Sequence, residues 1–459
     1  MSDRSGPRVQ PARAVAFDVL RAVNESDAYA NLLLPTAIDR AGLSAADAGL
    51  ATELTYGTLR RVGYYDAVIE LAAQRSAHDI DPVVLDALRL PAHQILSMRV
   101  AEPAAVNEGV ELVRVHAGQR AVGFANAVLR TMTRADADTW RDRVVAAARS
   151  DDERLAIEHA HPVWIIRAMR RSLAAEGRAD ELIDLLTADN IAPRVTMLAL
   201  PGLADVPEDA PRTLYSPYGF TAPAGDPARL MTSSEGRLRV QDEGSQLAAL
   251  ALVHAAPITP GERWLDLCAG PGGKTALLAA SALEADATVE ANEVVPARAG
   301  LVRRAVEGVP MRIDVSVEDG RTRGSRAAGT YDRVLVDAPC TGLGALRRRP
   351  EARWRKQPSD LPGLTELQGE LLEAGIRAAK PGGVIAYVTC SPHLAETTGV
   401  VADALRTGQV EALDTRSVLQ EVAAQPMDLP APLAGGGHAQ LWPHRHGTDA
   451  MFIALLRRV

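Results

Sequence analysis

The sequence predicts a multidomain chain of three parts: an all-helical bundle, a small α/β connector, and a doubly wound, Rossmann-like α/β domain. Three observations carry this. Apolar residues recur at helical spacing from Pro11 to about Ala148, the pattern then breaks into a stretch rich in Pro and Gly, and from residue 238 onward short apolar strands alternate with helices. The parts read as 1–148, 149–237 and 238–459. At 459 residues the chain is too long for one core, and 47% hydrophobic with 24% charged residues is ordinary for a globular protein. No apolar run approaches the ~20 residues of a membrane helix and the first ten residues are polar, so a cytoplasmic protein without membrane contact is expected. Three cysteines, Cys268, Cys340 and Cys390, are too few for a disulfide framework and lack paired metal-ligand spacing, so no metal is expected. A formal charge of -8 does not advertise a polyanion partner. Nucleic-acid contact would have to come from local basic patches.

In the bundle, Ala14, Phe17, Leu20 and Val23 repeat at helix spacing, as do Leu50, Leu54, Tyr56 and Leu59, and then Val84, Leu88, Ile95 and Leu96. Ser44 suits an N-cap and Pro103 a first turn. Arg60, Arg61, Arg89 and Arg114 read, one by one, as solvated charge. In the connector, helices around Trp164–Ala175 and Asp180–Leu186 give way to an extended run, Arg194–Leu200, and then to loops over Pro201–Asp226.

The third part opens with an extended Leu238-Arg-Val-Gln-Asp242 and a helix from Gly244 to His254. Strands follow near Arg263–Leu267, Thr288–Asn292, Arg312–Val317, Arg333–Asp337 and Val384–Thr389, with helices between the first three and another over Leu364–Ala379 that Pro381-Gly-Gly383 ends. The tail, Ala450–Leu456, reads as an antiparallel edge strand. Parallel strands separated by helices put ligands at the carboxyl ends of the strands.

The first such end is Arg263-Trp-Leu-Asp-Leu-Cys-Ala-Gly-Pro-Gly-Gly-Lys-Thr275, a strand, a glycine turn and a helix start. A phosphate-binding P-loop needs glycine five residues before Gly273, where Cys268 stands. A dinucleotide fingerprint needs a third glycine at 275, where Thr stands. What remains is a loop whose backbone lies against a ligand without phosphate, with Asp266 for an amino group, which describes S-adenosylmethionine. Glu293, 23 residues past Gly270, follows the second strand and suits ribose hydroxyls; Asp319 follows the third and suits the adenine amino group or its surroundings.

The fourth strand delivers Asp337-Ala-Pro-Cys-Thr-Gly342 and the fifth Thr389-Cys-Ser-Pro392, so adjacent strand ends set Cys340 and Cys390 across one cleft, while Cys268 reads as a small buried hydrophobe. A thiolate adding to carbon 6 of a pyrimidine makes carbon 5 nucleophilic, and Asp337 can hydrogen-bond the exocyclic amine and protonated N3 of a cytosine.

On these motifs the second half resembles the NOL1/NOP2/Sun family of RNA 5-methylcytosine methyltransferases. The first third, with Ala12-Arg-Ala-Val-Ala-Phe-Asp-Val-Leu20, Glu53-Leu-Thr-Tyr-Gly-Thr-Leu-Arg-Arg61, Ala105-Val-Asn-Glu-Gly-Val-Glu-Leu-Val113 and Phe124-Ala-Asn-Ala-Val-Leu-Arg130, resembles a NusB-type RNA-binding domain. The likeness implies an RNA partner, small-subunit ribosomal RNA foremost, and a monomer. It implies Cys390 as nucleophile, Cys340 as an aid to product release, and a cofactor held by Cys268, Ala269, Gly270, Pro271, Gly272, Gly273, Lys274, Glu293, Arg298, Asp319 and Asp337. Two positions depart from the family pattern: Glu293 where Asp is common and Arg349 where His often stands.

Arg347, Arg348, Arg349, Arg353, Arg355 and Lys356 put six cations into ten residues with Trp354 among them, an expected phosphate-binding lip. Competing readings are an amino-group methyltransferase, opposed by the second cysteine; a DNA-type enzyme using the Pro-Cys thiol of Cys340 as nucleophile; a methyltransferase acting on another RNA such as tRNA; and an RNA-binding assembly factor with a degenerate catalytic domain.

Overall fold

The computed structural model describes residues 9–26, 28–98, 100–223 and 227–459. Residues 1–8 of the polar N-terminus and 224–226 of the expected connector loops lie outside them. The chain divides into two compact units: one takes residues up to Arg167 together with Leu346–Arg355, the other Ala168–Ala345 and Lys356–Val459.

The first unit is helical, with helices that include Pro11–Glu25, Ala45–Arg60, Val62–Ala73, Pro82–Leu96, Glu102–His116 and Gln119–Met132. The predicted stripes face its core: Phe17, Leu20, Val23, Leu54, Leu59, Val84 and Leu88 are all buried. Ser44 caps its helix by accepting from the Asp47 N–H. Arg89 forks onto Asp66 and also reaches Asp86, and Arg60 is buried, so these two serve the bundle.

The second unit opens with a three-stranded antiparallel sheet of β1 (Thr196–Ala199), β2 (Gly219–Thr221) and β3 (Leu238–Val240), in the order β2-β1-β3. The larger sheet holds β4 (Arg263–Asp266), β5 (Thr288–Asn292), β6 (Asp314–Ser316), β7 (Tyr331–Asp337), β8 (Ala379–Thr389), β9 (Val410–Ala412), β10 (Ala439–Gln440) and β11 (Phe452–Arg458). Its order is β10-β11-β8-β7-β4-β5-β6, with β9 also paired to β11. The chain runs from β4 outward to β6 and then returns to β7 on the other side of β4. Strand order therefore reverses between β4 and β7, where such sheets open a ligand crevice.

Alternation along the central strands builds two cores. Trp264, Leu335, Ala386 and Val388 point to one face, and Leu265, Val334, Val336, Ile385 and Tyr387 to the other. Helices Glu243–His254 and Gly273–Glu284 cover the first, and Leu361–Ala378 the second.

The structure also corrects two expectations about the strands. Pro381-Gly-Gly383 lies inside β8 and not between helix and strand, because pairing already begins at Tyr331↔Ala379 and the register then shifts before Arg333↔Val384. The tail strand is antiparallel as expected but is not an edge: β10 and β9 pair with β11, at Gln440↔Phe452 and Leu456↔Ala412. Strands of two and three residues carry too little alternation to register as a period. Among the described residues no helix is long and apolar enough to cross a membrane.

Candidate active site at the carboxyl ends of the parallel strands

The β4 end is built around a buried acid. Asp266 is 1% exposed, its Oδ2 accepts from Thr275 Oγ1 at 2.7 Å, and its Oδ1 is buried without a partner among the described residues. Burial, only partly offset by the Thr275 hydrogen bond, raises its carboxyl to about 7. Thr275 is the residue whose presence broke the dinucleotide pattern, and here its hydroxyl orients the acid.

The glycine loop is held from the next strand. Glu293 is buried; its Oε2 accepts from the Gly270 N–H at 3.0 Å and its Oε1 from the Val295 N–H at 2.9 Å. Arg298 donates to the Gly270 carbonyl at 2.7 Å. A Cβ on Gly270 would meet Glu293 Oε2 at 2.2 Å, so glycine is required for this approach. Gly272 has φ +103 and begins the helix Gly273–Glu284. The unpartnered buried oxygen of Asp266 and the close-packed glycine turn fit a ligand with an amino group and no phosphate. Next to Glu293, Val294 and Val295 are 58% and 42% exposed, an apolar surface that sequence reasoning passed over. Asp319 caps the short helix Gly320–Arg326 and pairs with Arg321, whose hydrogen bonds hold its carboxyl below the usual range.

At the reversal point the start of the helix Gly273–Glu284 meets the end of β7. Lys274 Nζ donates to Asp337 Oδ2 at 2.8 Å. Burial works against the Lys274 charge, yet Asp337 outweighs it and the ammonium is strengthened; Cys390 lies close enough to act in the same direction. Cys268 packs at the edge of the apolar core as expected, and burial with three neighbouring carboxylates pushes its thiol well up.

Cys340 and Cys390, 50 residues apart, meet with their sulfurs 3.5 Å from each other. The adjacency of β7 and β8 is what brings them together: Ala338 donates to the Val388 carbonyl at 2.9 Å, and Gly344 to the Cys390 carbonyl at 2.9 Å. The Cys340 thiol is pushed well above its usual range, by its hydrogen bond to Cys390 first, then by burial and the Glu396 carboxylate. Glu396 is the residue sequence reasoning missed. It is completely buried and takes hydrogen bonds from Thr341, Ser391 and Gln368. Its sequence signal was only an acid six residues past a cysteine.

The basic run departs from the expected open lip. Within the helical unit Arg353 is 0% exposed, its Nη1 donating to the carbonyls of Arg60 at 2.9 Å and Ala160 at 3.2 Å. Trp354 donates to the Leu59 carbonyl at 2.8 Å and packs on Gly63, where a Cβ would meet its ring at 2.6 Å. Arg355 donates to the carbonyls of Val23, Ser26 and Ala28. Arg349 and Arg355 each lie 5.5 Å from the Tyr29 ring centre, and Arg347 is buried. Arg348 is exposed, and Lys356 partly so.

Comparison with known proteins agrees with the fold. The family described as 16S rRNA methyltransferase RsmB/F matches residues 254–457, and the NusB family matches residues 10–134. A Mycobacterium tuberculosis protein described as a methyltransferase is 50% identical over 100% of both chains. Ribosomal RNA small subunit methyltransferase B of Pseudomonas putida is 31% identical, with 89% of this chain and 91% of that one covered. The crystal structure of PH0851 has a TM-score of 0.77 at 22% identity over 98% of this chain and 100% of its own, a likeness of fold. The NusB-like front and the methyltransferase-like half expected from the motifs are both found.

Proposed function

The chain belongs to the RsmB/F family of ribosomal RNA methyltransferases, and from that membership we propose that it transfers a methyl group from S-adenosylmethionine to carbon 5 of a cytosine in small-subunit ribosomal RNA, through a covalent cysteine adduct. The observation that carries this reading is the pair of thiols 3.5 Å apart beside the Lys274–Asp337 ion pair. A methyl transfer to oxygen or nitrogen needs no thiol; a transfer to an unreactive ring carbon needs one to attack and gains from a second.

S-adenosylmethionine supplies, when bound, a methyl group on a sulfonium centre. Asp266 would accept from its amino group, and the 268–274 loop with Glu293 and Asp319 would hold the rest of it. Cys390 adds to carbon 6 as a thiolate, favoured by the nearby Lys274 ammonium; a sulfur–carbon bond forms and the 5,6 double bond opens toward carbon 5. A proton taken up from water at N3 offsets the charge that addition places on the ring, and Asp337 accepts from that N3–H and from the exocyclic amine. Once carbon 5 carries the methyl group, its proton is lost to water, the ring double bond reforms and the Cys390 sulfur is expelled. Cys340 keeps its proton under the influence of Cys390, burial and Glu396, so its thiol hydrogen supports the departing sulfur. The NusB-like unit supplies further RNA contact.

Bisulfite sequencing of ribosomal and transfer RNA from a deletion strain tests the assignment. One 5-methylcytosine in 16S RNA should disappear and return with the wild-type gene. Loss confined to tRNA would move the substrate, and loss nowhere would overturn the reading.

A further inference from the structure

Glu396 sits in a short turn, Leu394–Glu396, whose carbonyl is fixed by the Tyr387 hydroxyl at 2.7 Å. Its Oε1 accepts from the Thr341 N–H at 2.7 Å and from Gln368 Nε2 at 3.1 Å. Its Oε2 accepts from Ser391 Oγ at 2.6 Å and from Thr341 Oγ1. Four donors fill the acceptor capacity of a carboxylate, and among the described residues no lysine or arginine pairs with it. Burying a charge on hydrogen bonds alone is an expensive way to fill space, since an apolar side chain would pack without desolvation. The donors share one property. Thr341 follows Cys340, Ser391 follows Cys390, and Gln368 also donates to the carbonyl of Pro339, which precedes Cys340, at 2.9 Å. Every arm ends one residue from a thiol.

We propose that Glu396 is the positioning residue of the two-cysteine site, its carboxylate tying the Cys340 loop to the Cys390 loop and so fixing the distance between the sulfurs. The proposal rests on the covalent reading above for its consequence in catalysis, but the clamp itself is a property of the folded protein. The same carboxylate separates two otherwise similar thiols: a negative charge acts on Cys340 while the Lys274 ammonium acts on Cys390. One is kept as a proton holder and the other is left as nucleophile.

The test uses the full chain with Glu396→Ala and Glu396→Gln. Two readouts are taken for each: the rate at which diamide, which takes up the two thiol hydrogens, links Cys340 to Cys390, and the rate of adduct formation with RNA carrying 5-fluorocytidine. Loss of hydrogen bonds to a charged acceptor is expected to slow both in Glu396→Ala by about tenfold or more, with S-adenosylmethionine affinity unchanged. Glu396→Gln, which keeps the shape, should recover diamide linkage and only part of the adduct rate. If Glu396→Ala does not fold, the pair Thr341→Val with Ser391→Ala removes two arms and should give the same slowing. A residue that merely packs would lower the melting temperature and leave both rates per folded molecule at wild type, and that result overturns the proposal. Should wild-type protein form no adduct with any cytosine, the covalent reading fails, and the diamide rates alone decide the clamp: slower linkage in the variants supports it, equal linkage overturns it.

Discussion

The glycine loop of residues 268–274 and the basic run of residues 347–356 have opposite fates. In the loop the requirement is local: Gly270 must be bare because Glu293 Oε2 would stand 2.2 Å from its Cβ, and the buried acid at the strand end keeps an acceptor free. In the run the donors are spent on the protein itself, with Arg353, Trp354 and Arg355 all donating to backbone carbonyls of the helical unit. A motif defined by backbone geometry carries its meaning in its own few residues. A cluster of charge does not, since its partners stand roughly 200 to 330 positions away and decide whether it faces water.

The contrast is open to breakage at four points, the strongest first. Arg353→Ala should cost about 3 kcal/mol of stability, because it leaves two buried carbonyls unpaired and a cavity, where a solvated arginine would cost within about 0.5 kcal/mol. Thermal unfolding checks it, and S-adenosylmethionine affinity should not move. An unchanged melting temperature would return the run to the surface. Asp266→Ala and Glu293→Ala should each weaken S-adenosylmethionine by about tenfold to a hundredfold, the worth of one charge-assisted hydrogen bond at roughly 1.5 to 3 kcal/mol. Calorimetric titration reads this, and wild-type affinity in both variants would break the loop's side of the comparison.

The third point is pH. Burial raises the Asp266 carboxyl to about 7, so between about pH 4 and 7 the folded chain holds a proton that the unfolded chain has released. The stability it contributes is present below about pH 4 and is lost as pH rises through 7. Asp266→Asn should flatten that part of the unfolding profile, and wild-type affinity for the cationic amino group of the cofactor should rise from pH 6 to 8. Identical profiles in the variant would place the titration elsewhere. The smallest effect belongs to Arg348, exposed within the run. Arg348→Ala should lower the salt slope of RNA binding by about 0.7 if it meets one phosphate, and no change of slope would leave it solvated.

What the sequence made legible follows the same division. The helix stripes, the strand–loop–helix at Asp266, the acids at successive strand ends and the meeting of Cys340 with Cys390 all depend on period and on strand adjacency, which short stretches encode. The two-residue strand Ala439–Gln440 and the pairing of β11 on both sides were hidden because pairing partners, not periodicity, define them. Glu396 was hidden for a related reason: nothing in its neighbours announces complete burial, and its role is visible only once Thr341 and Ser391, 50 residues apart, converge on it. The fate of Arg353 required knowing that residues 346–355 fold into a different unit from the residues on either side.

The covalent mechanism is tested most directly by separating the two thiols. Purified Cys390→Ala and Cys340→Ala variants are incubated with substrate RNA and S-adenosylmethionine and run on a denaturing gel. Because addition precedes elimination, Cys390→Ala should give neither methylation nor a shifted band, whereas Cys340→Ala should transfer the methyl group and then accumulate a protein–RNA adduct. A shifted band in Cys390→Ala, absent in Cys340→Ala, would make Cys340 the nucleophile and contradict the assignment.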